Sequence, residues 1–329
     1  MSLPEFKLIK PRTLQEAMAY LSANAGTTQI VAGGTDLIPS LRQRLFTPQY
    51  VLDISGIGDL RGIKVKPGQG VEIGALTTLT TIEDSGYIEK NYPVLREAAM
   101  TVASPILRNM GTLGGNICLD TRCLWYNQSL TWRKSCGFCI KKDGDLCHVA
   151  PGGTKCWAAF SGDTAPALLC LGAEIEIVSK TGRRVVPLAE FYTGEGDARM
   201  NLEKGEILTK VFLPEETAGW KGAYLKLRLR GSIDYPLAGV AVAMKKNGAV
   251  EDARVAITAV NPMPALIKDA PNALKGKALG DGLEHAAEVV GELAARTAKP
   301  LTTSALTPEY RREMVRVFAK RAVMKAARS

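Results

Sequence analysis

Six of the seven cysteines lie between positions 118 and 156 of a chain of 329 residues. Such a concentration of thiols constrains the fold of this stretch, because it predicts cross-links through disulfides, zinc or iron rather than through a hydrophobic core. The seventh, Cys170, lies in the apolar segment PALLCLGA and is expected to be a small core residue. The six clustered positions are Cys118, Cys123, Cys136, Cys139, Cys147 and Cys156.

Three kinds of cross-link are open to these cysteines. Disulfides are not expected, because the start MSLPEFKLIKP has no apolar signal segment and a cytoplasmic protein keeps its thiols reduced. Structural zinc usually needs paired C-x-x-C knuckles, but only Cys136 and Cys139 form such a pair, with His148 as a further candidate ligand. Iron–sulfur clusters accept wider ligand spacings. The spacing therefore favours an iron–sulfur cluster and leaves zinc as the alternative.

The composition is that of a globular protein, with 46% hydrophobic and 23% charged residues. The length predicts two or three domains. No run of about 18 apolar residues indicates a membrane span. We therefore expect a cytoplasmic protein with no membrane partner.

The net charge is +9, and part of the excess lies in the C-terminal segment EYRREMVRVFAKRAVMKAARS. Its spacing predicts a helix that packs its apolar residues inward and turns its basic residues to solvent or to a neighbouring subunit. No zinc-finger spacing or helix-turn-helix signature accompanies it, so we expect no nucleic-acid partner. The inward residues would be Tyr310, Met314, Val317 and Phe318, and the outward ones Arg311, Arg312, Arg316 and Lys320.

Local periodicity divides the chain into three regions. Residues 1–60 alternate strand and helix signals, with a capping box at Thr13 and Glu16, and predict a small α/β subdomain. Residues 61–215 mix helices with a β-hairpin and predict a second α/β subdomain, which contains the cysteine-rich segment 118–156. Residues 216–329 predict strands joined by a hairpin turn at Asn247-Gly248, followed by two helices.

Two glycine-rich turns each follow an apolar segment. They are VAGGTDLIPS, from Val31 to Ser40, and RNMGTLGGNI, from Arg108 to Ile117. Glycine lets a ligand approach bare backbone, and successive N–H groups with a following helix N-terminus can hold a pyrophosphate. Neither turn matches the Rossmann or P-loop pattern. The pair favours a dinucleotide site, and two purely structural turns are the alternative.

Three motifs in order, VAGGTDL, ASPILRNMGTLGGNI and SGDTAPALLCLGAEIEI, resemble the FAD-binding subunit of the molybdenum hydroxylases, the family of xanthine dehydrogenase and carbon monoxide dehydrogenase. The resemblance extends over nearly the whole chain. It implies an α+β, PCMH-type FAD-binding fold of two α/β subdomains, followed by a C-terminal domain with a three-stranded sheet and helices. FAD would lie between the first and the second subdomain.

The resemblance also implies which residues bind FAD. Both glycine loops would hold the pyrophosphate, Asp163 would bind hydroxyls of the ribityl chain, and Leu208 and Lys226 would lie near the isoalloxazine. The implied loop residues are Ile30, Val31, Ala32, Gly33, Gly34, Thr35, Asp36 and Leu37 in the first loop and Gly111, Thr112, Leu113, Gly114, Gly115 and Asn116 in the second.

Most members of the family pass from the second glycine loop directly to SGDTAPA, whereas this chain inserts about forty residues. The stretches DTRCLWYNQS and GDLCHVAPGG resemble the flavin subunit of the 4-hydroxybenzoyl-CoA reductases, which carries an additional 4Fe–4S cluster. The resemblance implies the ligands Cys123, Cys139, Cys147 and Cys156. Cys136 would be a bystander or an exchangeable ligand, Cys118 would be structural, and Trp125, Tyr126 and Trp132 would shield the cluster.

The function implied is that of an electron-transfer subunit, with no catalytic residue of its own. Electrons from ferredoxin would pass through the 4Fe–4S cluster and FAD to 2Fe–2S clusters on a small subunit and to a molybdopterin cofactor on a large subunit, in a dimer of heterotrimers. The reaction would be reductive dehydroxylation of 4-hydroxybenzoyl-CoA to benzoyl-CoA. The alternatives are the FAD subunit of another molybdenum hydroxylase, acting on an aromatic or heterocyclic substrate, and a zinc-stabilised basic scaffold or nucleic-acid-binding protein.

Overall fold

The structure, a computed structural model, describes residues 2–329, and its strands form three separate sheets. The first is a parallel sheet in the order β1-β3-β2. Thr13 caps the first helix by accepting from the Glu16 N–H, but the Glu16 carboxylate accepts from the Arg12 N–H rather than from Thr13, so only half of the predicted capping box forms. The elements are β1 (Lys7–Ile9), α1 (Leu14–Asn24), β2 (Thr28–Val31), α2 (Leu37–Arg42) and β3 (Tyr50–Asp53).

The second sheet is antiparallel and brings together distant parts of the chain in the order β4-β5-β8-β6-β7. All of its helices except the short α10 lie between β5 and β6 in the sequence, and several of them pack with the sheet around the largest hydrophobic core. The elements are β4 (Ile63–Lys66), β5 (Gly70–Gly74), α3 (Leu79–Glu83), α4 (Gly86–Asn91), α5 (Pro93–Met100), α6 (Pro105–Arg108), α7 (Leu113–Ile117), α8 (Leu130–Ser135), α9 (Thr164–Cys170), β6 (Glu174–Ser179), β7 (Gly182–Pro187), α10 (Leu188–Phe191) and β8 (Ile207–Leu213).

The third sheet has four antiparallel strands, in the order β12-β11-β10-β9, and not the three that were predicted. The fourth strand has two residues and follows Pro264, so no alternation marks it in the sequence. The three long strands and the two long helices confirm the rest of the prediction. The elements are β9 (Lys221–Leu227), β10 (Ala238–Asn247), β11 (Ala249–Thr258), β12 (Ala265–Leu266), α11 (Ala270–Leu274), α12 (Asp281–Thr297) and α13 (Pro308–Arg328).

Helix α13 buries part of the predicted face together with one residue that was predicted to point outward. Met314 and Phe318 pack against the core as predicted, whereas Tyr310 is 47% exposed and Arg311 is completely buried. The guanidinium donates hydrogen bonds to three backbone carbonyls, those of Leu237, Leu301 and Ala259, at 2.6–2.9 Å. Because these carbonyls satisfy its donors, the arginine can occupy the face that also carries the buried residues Val315, Ala319, Ala322, Val323 and Ala326.

The cysteine-rich segment 118–156 is held by hydrogen bonds to all three sheet regions. Arg122 exchanges backbone hydrogen bonds with Ala159, both at 2.8 Å, and Leu124 donates to the Thr303 carbonyl at 2.8 Å. The buried Arg133 donates to the Arg44 carbonyl at 2.8 Å. The segment contains the single short helix α8, and these anchors therefore fix its remaining loops.

No helix within residues 2–329 is both long enough and apolar enough to cross a lipid bilayer.

Replacing Arg311 with Met should destabilise the chain strongly. Burial lowers the pKa of Arg311 to about 10, which leaves the guanidinium charged at neutral pH. The replacement leaves three buried carbonyls without their donor, so we expect the free energy of unfolding to fall by about 2–4 kcal/mol. The exposed neighbour Arg312, replaced by Met, is the control and should change stability little. Equal urea midpoints for the two variants would contradict this role.

Candidate functional site

The two glycine loops meet through their backbones. A Cβ atom placed on Gly33 would lie 1.8 Å from the carbonyl oxygen of Met110, and one on Gly111 would lie 3.8 Å from Thr35 Oγ1. No side chain other than hydrogen fits at Gly33 without moving one of the loops. The structure therefore brings the two segments that the sequence singled out into direct contact, with several of their residues partly exposed.

The first loop presents unused hydrogen-bond donors. Within residues 2–329, the backbone N–H groups of Gly33, Gly34 and Thr35 have no acceptor in the protein. Gly34 has a φ of +72°, the left-handed conformation that lets successive N–H groups point to one side. Such a set of donors suits an anion. Asp36 is engaged elsewhere, because its Oδ1 accepts from Arg122 at 2.9 Å and from the Tyr235 hydroxyl at 2.8 Å.

The second loop is held rigidly from behind. Leu113 and Gly114 donate to the carbonyls of Thr77 and Ala75, each at 2.9 Å. Thr112 caps α7 by accepting from the Gly115 N–H at 3.1 Å. Asn116 uses its side-chain oxygen to accept from the N–H and hydroxyl of Thr164, at 3.0 and 2.6 Å. The loop is thus tied to the SGDTAPA segment, which contains the next predicted residue.

Asp163 and Lys226, both predicted as FAD-site residues, form a buried ion pair. Their side chains are 3% and 2% exposed, and Nζ lies 3.1 Å from Asp163 Oδ2. The Tyr224 hydroxyl donates to the other carboxylate oxygen at 2.7 Å. Burial raises the pKa of Asp163, although Lys226 and Tyr224 both favour its ionised form. Leu208 lies in β8, in the same hydrophobic core as Tyr224.

Four cysteines of the cysteine-rich segment line one small cavity, with a volume of about 20 Å³. They are the four that the resemblance implied as ligands: Cys123, Cys139, Cys147 and Cys156. Cys136 ends α8 and is not among the lining residues, and neither is Cys118.

Two thiols of this cavity, those of Cys123 and Cys156, have a raised pKa. At Cys123 burial is the largest cause and the nearby sulfurs of Cys139 and Cys147 add to it, so that its pKa is about 11. Burial likewise raises the pKa of Cys156 to about 12, against the opposite effect of Lys141. These two cysteines therefore become thiolates at neutral pH only when a positively charged group replaces their protons.

The structure also bears on whether these cysteines form disulfides or bind a zinc ion. All seven are free thiols. A zinc ion holds its sulfurs within about 2.3 Å of one point, but no three Cys, His, Asp or Glu side chains of the described chain converge closely enough to hold a metal ion.

Aromatic rings form the wall of the cavity. Trp125, Tyr126 and His148 line it, and the rings of Trp125 and His148 stack with centroids 4.3 Å apart. His148 Nε2 lies 2.5 Å from the Phe138 carbonyl oxygen, which holds its ring in place. Trp132 packs on Trp125 from outside and is 37% exposed. It forms an outer layer over the ring of Trp125 and is not part of the lining itself.

Sequence reasoning missed two polar residues beside the cavity. Lys141 lines it with a side chain that is 5% exposed, and its ammonium donates to Asp120 Oδ1 at 2.9 Å. Asp120 lies 3.4 Å from the Arg199 guanidinium as well. Burial by itself would raise the pKa of Asp120, but the two cations hold it below its ordinary value. The adjacent lysines 141 and 142 look alike in the sequence, so no local signal marks the buried one.

Gly196 is a further contact that the sequence did not reveal. It donates to the Cys156 carbonyl at 2.8 Å, and a Cβ atom on it would lie 2.7 Å from the Cys156 sulfur. A side chain at this position would displace that sulfur, so a residue forty positions after Cys156 shapes the cavity.

Comparisons with known proteins agree with this architecture. The model "FAD binding domain in molybdopterin dehydrogenase" matches residues 4–216, and "CO dehydrogenase flavoprotein C-terminal domain" matches residues 223–326. The carbon monoxide dehydrogenase medium chain of Afipia carboxidovorans is 30% identical, over 98% of this chain and 96% of the relative. The nicotinate dehydrogenase FAD-subunit of Eubacterium barkeri is 31% identical, over 77% and 72%.

Among solved structures, reconstituted CO dehydrogenase from Oligotropha carboxidovorans superposes with a TM-score of 0.81 at 28% identity, covering 100% of this chain and 99% of that one. The predicted α+β FAD-binding fold is thereby confirmed, and a zinc-stabilised scaffold or nucleic-acid-binding protein is not supported. The chain belongs to the molybdenum hydroxylase family, as one of its FAD-binding medium subunits.

Proposed function

We propose that this chain is the flavin subunit of a 4-hydroxybenzoyl-CoA reductase and carries a 4Fe–4S cluster in addition to FAD. The observation that carries the proposal is the single cavity lined by Cys123, Cys139, Cys147 and Cys156 inside an FAD-binding fold. Four cysteines around one buried space are the donor set of a 4Fe–4S cluster. When bound, the cluster and the flavin would pass electrons between an external donor and centres on partner subunits.

The proposed FAD site uses the backbone of both glycine loops. Residues 30–37 would supply the free N–H groups of the first loop. Residues 111–116, in the second loop, would form the opposite wall of a proposed cleft that holds the pyrophosphate. The buried cation Lys226 would lie near the isoalloxazine, with Leu208 as an apolar neighbour. Asp163, already bonded to Lys226 and Tyr224, would orient that cation or meet a hydroxyl of the cofactor.

The proposed cluster site uses the cysteine-rich insert, residues 118–156, as a closed lobe. Cys139, Cys147 and Cys156 are buried, so the ligands are shielded from water, and the Ala158 N–H reaches the Cys156 sulfur at 3.5 Å. Around it we propose three domains: residues 1–60, residues 61–215 with the insert, and residues 216–329. This division is supported by the three sheets, which do not share strands.

The proposed partners follow from the chemistry that this chain lacks. A molybdopterin-binding large subunit would hold the acyl-CoA substrate, and a small subunit would hold 2Fe–2S clusters. The term "medium chain" in the name of the carbon monoxide dehydrogenase relative supports such a complex. Ferredoxin is the proposed electron donor, and a dimer of heterotrimers in the cytoplasm is the proposed state.

A second candidate is the FAD subunit of a molybdenum hydroxylase that oxidises an aromatic or heterocyclic compound. The observation that favours it is the 31% identity to a nicotinate dehydrogenase FAD-subunit. This second function does not account for the four-cysteine cavity, and we therefore place it second.

The purified complex should convert 4-hydroxybenzoyl-CoA to benzoyl-CoA when it is supplied anaerobically with a reduced low-potential donor. The measurement is product formation by liquid chromatography, with nicotinate and an electron acceptor as the parallel assay for the second candidate. Oxidation of nicotinate without reduction of the acyl-CoA would reverse the order of the two proposals.

Replacing Cys147 with Ser should remove the cluster and leave FAD bound, because the cavity loses one of its four thiolates while the glycine loops are unchanged. Iron and acid-labile sulfide per FAD should fall relative to the wild-type complex, and the corresponding EPR signal should disappear. Cys136→Ser is the matched control, since Cys136 lies outside the cavity. An undiminished signal in Cys147→Ser would exclude this residue from the ligand set.

Replacing Gly33 with Ala should weaken FAD binding by at least about tenfold, which corresponds to about 1.4 kcal/mol. The added methyl group collides with the Met110 carbonyl and must separate the two loops. Gly26→Ala is the control, because nothing lies within 4 Å of the added atom there. Fluorescence titration of the apoprotein with FAD measures both, and equal affinities would show that the cleft between the loops is not the FAD site.

A further inference from the structure

Lys141 and Asp120 form a buried ion pair beside the four-cysteine cavity. Lys141 is among the residues that line the cavity, whereas Asp120 is not. The ammonium is close enough to the Cys156 sulfur for each to affect the other's pKa. The positive end of the pair therefore faces the space where the four sulfurs meet.

Both members of the pair are fixed in position. Lys141 donates to the carbonyls of Thr121 and Gly196, at 3.0 and 2.9 Å, and to the Thr121 hydroxyl. Its Nζ also lies 4.5 Å from the centre of the Tyr126 ring. Asp120 is 6% exposed and is held by Lys141 on one side and by Arg199 on the other. Neither charge can turn away from the cavity without losing these bonds.

The reduction potential of an iron–sulfur cluster depends on nearby charge, hydrogen bonding to its sulfurs and exposure to solvent. Four thiolates give the occupied cavity a net negative charge, and adding an electron makes it more negative. A cation in a site shielded from water interacts with that electron strongly, because little solvent screens it. An anion at nearly the same place has the opposite effect.

From this geometry we infer that Lys141 and Asp120 set the reduction potential of the cluster, with Lys141 raising it and Asp120 lowering it. The inference rests on the proposed function, because it concerns the metal cluster proposed there. Lys141 is a positioning residue in this role: it touches the ligand environment and takes no part in the transfer itself.

The test compares two replacements that remove opposite charges at one place. Lys141→Met removes the cation, and Asp120 keeps Arg199 as its partner. Asp120→Asn removes the anion, and Lys141 keeps the carbonyls of Thr121 and Gly196. EPR-monitored redox titration of the anaerobically purified complex measures the midpoint potential of the cluster. We expect a more negative midpoint for Lys141→Met and a more positive one for Asp120→Asn, with the larger shift at Lys141 because it is nearer to the cavity.

Lys134→Met is the matched control, since it removes the same charge from the exposed surface of α8, where solvent screens it. Its midpoint should remain close to that of the wild type. Iron per FAD shows whether each variant retains its cluster.

A purely structural role gives a different result, because loosening the cavity from either side would shift both potentials in one direction or lower the iron content. Shifts of the same sign, unchanged potentials in both variants, or loss of iron in either variant would overturn the inference. The proposed function would still hold in each of these cases, because it fails only if the wild-type complex lacks the cluster.

Discussion

The contact between Gly33 and the Met110 carbonyl is the constraint on which the rest of the site depends. It joins the small parallel sheet to the helices of the middle region without an intervening side chain. No side chain lies between the two backbones, and the conformations of the two glycine loops therefore set the distance between them. The free N–H groups of the first loop then face a second loop that is fixed by hydrogen bonds to residues 75–77.

The cysteine-rich insert is attached to this frame through polar contacts. Arg122 precedes Cys123 and pairs with Asp36 of the first glycine loop, while its guanidinium lies 3.9 Å from the centre of the Tyr235 ring. The insert thus contacts the first loop of the proposed FAD site.

Particular residues show how far the sequence could be interpreted. The glycine motifs, the half-formed cap at Thr13 and the hairpins depend on neighbours in the chain, and the sequence predicted them. The burial of Arg311 was missed, because a charged residue is normally exposed and its three carbonyl acceptors come from segments 10 to 74 positions away. Strand β12 was missed because two residues carry no periodic signal.

The resemblance of three motifs indicated the family, the fold and four of the cysteines, and the sequence itself shows the concentration of thiols between positions 118 and 156. Spacing alone did not separate Cys136 from Cys139, whereas in the tertiary structure Cys139 lines the cavity and Cys136 does not. Likewise, only the fold buries Lys141 and leaves Lys142 more exposed. The physical reason is that local sequence fixes chain direction over a few residues, whereas the surroundings of a side chain are formed by segments that only long-range packing brings together.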